Sequence, residues 1–218
     1  MGEEFKLPAS SYEELIKIIK AYGQAKENHT SLGELQKLCG VPSTQISRNS
    51  GFLLAVNITE GGKIKVVSEK GLILSRALQH DIPEETAKAW RDIINENDFL
   101  TKMVTAIKIR NGMDQQSFQS HIAYSSGQSN NKYVKTGSGT VIDILKIANL
   151  ISETDGKFVG INTSNVSPKI TSTVTTDQTP LTRNEPQVID TQVIRTIPSQ
   201  PPLVRFFGIF FVIVINLI

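Results

Sequence analysis

The sequence predicts a mainly α chain with small β-hairpins, an α+β class, built as two similar units in tandem and followed by a polar linker and an apolar tail. Three observations lead there. Apolar residues recur at three- and four-residue spacing in several stretches bounded by caps and glycines. Short β-branched runs flank Gly61-Gly62, a pair suited to the positive φ angles of a tight hairpin. Finally, Ile151-Ser152-Glu153-Thr154-Asp155-Gly156-Lys157-Phe158 matches Ile58-Thr59-Glu60-Gly61-Gly62-Lys63-Ile64 in character once one residue is inserted before the turn glycine. An offset of about 93 residues is the size of a domain rather than of a solenoid repeat.

In the first unit, Ser11 and Glu14 have the spacing of a capping box, and Tyr12, Leu15, Ile16, Ile19 and Tyr22 lie on one helical face that ends at Gly23. Ser31 and Glu34 repeat the device ahead of Leu32, Leu35 and Leu38, with Gly40 as the stop. Ser43 is the expected N-cap of a third helix over 43–57, and 58–70 reads as a hairpin with Lys63 and Lys65 on one face. Three helices and then a hairpin is the order of a winged helix. A closing helix over 72–79 ends the unit.

Asp81, Pro83 and Glu84 open the next helix. In the second unit Asp114 caps a helix carrying Phe118, Ile122 and Ala123; a polar loop covers 125–132, and Val141, Leu145 and Ala148 mark another helix. The predicted organisation is a first winged-helix domain at 1–80, an acidic connecting helix at 81–98, a second winged-helix domain at 99–159, a Thr/Pro/Ser-rich linker at 160–202 and a hydrophobic tail at 203–218. The linker holds six of the nine prolines and too few large apolar residues to offset chain entropy, so disorder is expected there.

Charge is distributed unevenly although the net value is only +2. Residues 31–80 carry six basic and three acidic side chains, 99–146 six and two, and the intervening 81–98 two and six. Two basic regions around an acidic one are expected to present two surfaces to an anion, joined by a solvated helix. The single cysteine, Cys39, cannot form an internal disulfide, and the start has no apolar stretch, so a cytoplasmic address is expected.

Function-bearing residues concentrate in Leu35–Arg48, a helix, a Gly40-Val41-Pro42 turn and a second helix. On the latter, Ile46, Ser50 and Leu53 are expected to point to the core, with Thr44, Ser47, Arg48 and Gly51 opposite and Gln45 flanking. That geometry suits recognition of double-stranded DNA, with Arg48 on a guanine or phosphate, Gln45 on an adenine, and Lys63 and Lys65 on phosphates. In the second unit, glycines 137 and 139 are expected at a helix start, where free N–H groups, together with Lys132 and Lys135, hold a phosphate. Asp143 would repel that backbone, and the apolar girdle of the same helix fits burial against a partner or a second copy of the chain.

The Leu35–Arg48 stretch resembles the bacterial and archaeal helix-turn-helix pattern. The layout is also similar to an uncharacterised prokaryotic family of tandem winged-helix proteins that begins with a Pro-x-Ser-Tyr-Glu-Glu-Leu type segment, here Pro8-Ala9-Ser10-Ser11-Tyr12-Glu13-Glu14-Leu15. That resemblance covers residues 5 to about 159 and implies a fold rather than a reaction.

No catalytic residue, metal ligand or cofactor is expected. His29, His80 and His121 are isolated, and neither a G-x-S-x-G nor a P-loop motif occurs, so the chain reads as a non-enzyme. The expected function is DNA-binding transcriptional regulation, with a homodimer through the second unit or the tail. The alternative is a winged-helix adaptor without DNA binding, associated with membranes through 203–218. That tail has three readings, a strand or assembly segment, a truncated or frame-shifted end, and a shallow membrane-associated segment.

Overall fold

In a computed structural model of the protein, residues 4–25, 31–62 and 64–161 are described; Lys63, the tail and the predicted linker from residue 162 onward lie outside them, while Gly160, placed at the linker's start, belongs to a strand. The described residues are mainly helical with two small antiparallel sheets, an α+β arrangement.

Helix α1 (Tyr12–Gln24) buries Leu15, Ile18, Ile19, Ala21 and Tyr22. Its N-cap is Ser11, but the expected box with Glu14 does not form, since Ser11 makes no side-chain cap bond to the helix. The Glu13 carboxyl is held below its usual range, first by its own backbone N–H and then by the Ser11 hydroxyl. The second box does form. Ahead of α2 (Leu32–Cys39), Ser31 Oγ accepts from Glu34 N at 3.3 Å, and Ser31 N donates to Glu34 Oε2 at 2.8 Å. Gly40 ends α2 at φ 68°, a left-handed conformation that costs glycine little.

After a three-residue turn, α3 (Ser43–Ala55) has Pro42 rather than Ser43 at the N-cap and ends two residues before 57. Val56, Asn57 and Ile58 then lead out of the helix, and strands β1 (Thr59–Glu60) and β2 (Val66–Val67) pair antiparallel. Helix α4 (Glu69–Gln79) begins three residues before the expected start, because Ser68 Oγ accepts from Gly71 N at 3.0 Å and converts that stretch into a capped first turn.

The acidic stretch is not a solvated connector. Helix α5 (Pro83–Asn95) has Pro83 at its first position and Ile82 as N-cap, while Asp81 sits before it at φ 49°. One face of α5 is core, with Thr86, Ala87, Ala89, Trp90, Ile93 and Ile94 buried. Glu84, Glu85, Asp92 and Glu96 are exposed on the other side or just beyond. The excess of acid marks the wet side of a central helix; it gave no information about the dry side. Trp90 Nε1 donates to Tyr12 Oη at 3.3 Å, fastening α5 to α1.

Asn97 caps α6 (Asp98–Ile109) through Leu100 N at 3.0 Å. Then come β3 (Met113–Asp114), α7 (Gln115–Ser125) with Asp114 Oδ1 accepting from Ser117 N at 2.9 Å, α8 (Lys132–Ile147), β4 (Ile151–Thr154) and β5 (Lys157–Gly160). The strand order is β3-β5-β4, with Met113 opposite Phe158 and Ile151 opposite Gly160. Asp155 and Gly156 turn the hairpin, both at positive φ (52° and 73°), as a type I′ turn requires. Strand β3 is too short for a period-two pattern to declare itself in the sequence.

Buried side chains from both halves form one cluster, from Leu7, Leu15 and Phe52 through Trp90 and Leu100 to Phe118, Val141 and Phe158. Residues 4–10 run as a strap across it. Phe5 stacks on Phe99, with centroids 4.0 Å apart, and meets Phe52 edge-on; Phe5 N donates to Ser126 O at 3.0 Å.

Candidate nucleic-acid interface

The apolar back of α3 decides which side chains remain free. Ile46, Phe52 and Leu53 are fully buried, and so is Asn49, a polar residue that helical spacing alone did not single out. Asn49 Oδ1 accepts from Ala9 N (3.0 Å) and Ser10 Oγ (3.2 Å), and its Nδ2 donates to Gln45 O at 2.9 Å. Every polar atom of its amide oxygen and nitrogen is therefore engaged with the strap or the helix itself. Leu54, beside Leu53 on the same helix, is 40% exposed.

Thr44, Ser47 and Arg48 remain exposed, as their face predicts. Gln45 does not join them as a base reader: it is half-buried, and its Nε2 donates to Ala9 O at 3.1 Å. Gly51 lies within the helix, where the Cβ and Cγ of Lys6 pass 3.3 Å from the position a Cβ would take. The glycine accommodates the strap rather than ending the helix.

The hairpin differs from expectation as well. Lys65 Nζ donates to Gly61 O (3.0 Å) and Gly62 O (2.6 Å), so its ammonium closes its own turn instead of reaching outward. No pattern of alternation could show this, because two turn carbonyls left without strand partners attract the nearest cation.

In the second half the helix starts earlier than the glycines imply. Asn131 is the N-cap of α8, its Oδ1 accepting from Tyr133 N (2.9 Å) and Val134 N (3.0 Å). Gly137 and Gly139 thus lie inside the helix, and their N–H groups are not those of a helix start. A Cβ on Gly137 would fall 2.1 Å from Pro8 O, which explains this glycine by the close approach of the strap. The apolar girdle of α8 is met within the chain: Val134, Val141, Ile142, Ile144 and Leu145 are buried, and Thr140 Oγ1 donates to Ser10 O at 2.7 Å. Lys132 and Lys135 stay exposed in the first turn, and Gln119 Nε2 donates to Lys135 O at 2.8 Å.

Asp143 lies two turns further along α8. Partial burial raises its pKa above the usual carboxyl range, Lys146 opposes that and Glu13 reinforces it, so its electrostatic neighbours are at the far end of the helix from Lys132. Its repulsion does not act on the Lys132–Lys135 turn.

One contact that joins α3 to α8 at the surface is Arg48 with Tyr133. Arg48 Nη1 donates to Tyr133 Oη at 2.9 Å, and the guanidinium carbon lies 4.7 Å from the ring centroid. The pair borders a groove of about 450 Å³ lined by Lys6, Pro8, Ser47, Gly51, Gln128 and Asn131, among others. Gln128 also lines a second groove of about 810 Å³, which Gln119, Tyr124 and Lys135 share. Lys6 is paired with Glu4 at 2.9 Å; among the described residues Arg48 lines the first groove, Lys135 the second, and Lys132 is exposed in the same helical turn as Lys135. Sequence reasoning missed Tyr133. Its only local signal is a large aromatic beside Lys132 at a helix start.

Among the described residues no three or more His, Cys, Asp or Glu side chains gather as metal ligands would, and no helix is long and apolar enough to cross a membrane. Comparison of the chain with protein-family models, with curated proteins and with solved structures finds no match.

Proposed function

We propose that this chain is a DNA-binding regulator of tandem winged-helix build that grips double-stranded DNA with the exposed face of α3 and the first turn of α8. The order α1-α2-α3-β1-β2 and the order α6-β3-α7-α8-β4-β5 both read as helices closed by a hairpin wing. The observation that carries the functional reading is the Arg48–Tyr133 contact, which sets the exposed Thr44, Ser47 and Arg48 of α3 beside the first turn of α8, where Lys132 and Lys135 are exposed. Short polar side chains beside an arginine suit base edges, and lysines at a neighbouring helix start suit phosphates. Relative to the sequence expectation, Gln45 and Lys65 leave the interface.

Fluorescence anisotropy on a duplex selected from a random pool tests this. Arg48→Ala should weaken binding by about 1–3 kcal/mol and relax sequence preference, while the Lys132→Ala/Lys135→Ala pair should reduce the salt slope by about 2. Affinity and slope unchanged in both variants would refute the proposal.

The adaptor reading draws on one observation, the inward engagement of Gln45 and Lys65, which leaves fewer groups for a nucleic acid. A protein partner captured by the wild type and lost in Arg48→Ala, with no salt-sensitive DNA affinity, would favour it.

A further inference from the structure

We infer that α3 and α8 act as one reading head on a single turn of duplex, with α3 in the major groove and the start of α8 on the phosphates beside it. This deepens the DNA-binding reading and rests on it. The alternative for a chain with two such helices is two half-sites, whose recognition helices sit about 34–36 Å apart along the duplex, one full turn. The structure does not allow that separation. Arg48 and Tyr133 touch, so the exposed middle of α3 and the first turn of α8 are no further apart than one arginine and one tyrosine side chain reach.

The separation is also held from beneath. Adjacent strap residues bond both helices at once: Ala9 N and Ser10 Oγ bond Asn49 on α3, and Ser10 O accepts from Thr140 on α8. Gly137 lets the Pro8 carbonyl lie directly on α8. Moving the helices one duplex turn apart would break all of these contacts and open a shared core.

Groove width then assigns the roles. A helix with its side chains is about 10–12 Å across, and the major groove is about 12 Å wide, so one stretch of groove takes one of the two helices. Helix α3 presents hydroxyls and a guanidinium, groups that read bases; α8 presents Lys132 and Lys135, point charges that suit phosphates. Tyr133 lies between them, in contact with Arg48.

The test is a titration of the full chain against synthetic duplexes of about 8 to 24 bp, recording affinity per available register and chains bound per duplex. A single head spans about one turn, roughly 10 bp, so affinity should level off by about 12 bp with one chain bound. The Lys132→Ala/Lys135→Ala pair should weaken the 12-bp and 24-bp complexes by the same factor. A further rise toward 24 bp accompanied by two chains per duplex also supports the inference, since each chain still covers one turn. More than tenfold further gain between 12 and 24 bp with one chain bound would overturn it, and if Arg48→Ala still weakened binding the DNA-binding reading would survive. Absence of affinity at every length, or no effect of Arg48→Ala at any, would overturn both.

Discussion

Helices α3 and α8 hold the same place in the two halves, each the last helix before a hairpin, yet the chain treats them differently. α3 keeps a polar face open at Thr44, Ser47 and Arg48, whereas α8 is covered over most of its length by α1, α5, α7 and the strap, with its first turn open and only Asp143 and Lys146 exposed further along. The difference follows from composition. α3 carries three fully buried apolar side chains on one side, enough to anchor a helix and leave the rest wet. α8 carries apolar residues on nearly every side, and such a helix reaches a stable state only when neighbours cover it. Two helices alike in order can therefore differ in what they leave open, one a polar face and the other mainly its first turn.

Substitutions at the paired glycines of α8 should break this contrast most strongly. Gly137→Ala puts a methyl onto the Pro8 carbonyl and should cost about 2–3 kcal/mol in urea unfolding, as overpacking against backbone does. Gly139→Ala, whose nearest neighbour would be Gln119 Nε2 at 3.5 Å, should instead stabilise by up to about 1 kcal/mol through helix propensity. Equal effects at both positions would show that α8 is not a pillar under the strap.

A comparable loss is expected on the α3 side. Asn49→Ala strands the Ala9 N–H and the Ser10 hydroxyl, so about 2 kcal/mol of stability should disappear. Hydrogen exchange at residues 5–10 should rise with it; unchanged exchange would mean that the strap is held by α8 alone.

Smaller still is the contribution of the Arg48–Tyr133 pair, exposed on both sides and worth about 0.5–1 kcal/mol. Tyr133→Ala should leave the melting temperature nearly unaltered and weaken DNA binding only while Arg48 is present. An equal loss in an Arg48→Ala background would argue against coupling between the two helices.

The least effect is expected from His121 on α7. Burial, and then the charge of Arg110, hold its pKa below the ordinary imidazole value of 6.5. The unfolded chain therefore takes up this proton at a higher pH than the folded chain does. Stability from this group is fully present above about pH 6.5 and declines as pH falls through the unfolded and then the folded value. His121→Gln should flatten the stability profile in that window, and an identical profile would assign the dependence to another group.

Much of the local structure was legible in the residues. The Ser31–Glu34 box, the Gly40 stop, the Asp114 cap and the Asp155-Gly156 turn each depend on atoms within three or four positions, and each forms. The same local reading failed at two other caps. Ser11 makes no side-chain cap bond and so completes no box with Glu14, and α8 starts at Lys132 because Asn131 is a stronger cap than anything near the glycines. Arg48 was recognised as exposed, but Tyr133, 85 residues away, carries no mark that it belongs beside it. Gln45 was misassigned for the same kind of reason, since its partner is a carbonyl of the strap.

By itself, then, the sequence determined which segments become helices and hairpins and which side of each is apolar, because caps, turns and periodicity act between near neighbours. Tertiary structure alone decided what covers each apolar side and which polar groups are spent in doing so. Burial is a property of what meets a surface, and α3 and α8 share one such cover, the strap at residues 4–10. Its backbone atoms occupy Gln45, Asn49 and Thr140, and what they leave open is Arg48 with the first turn of α8.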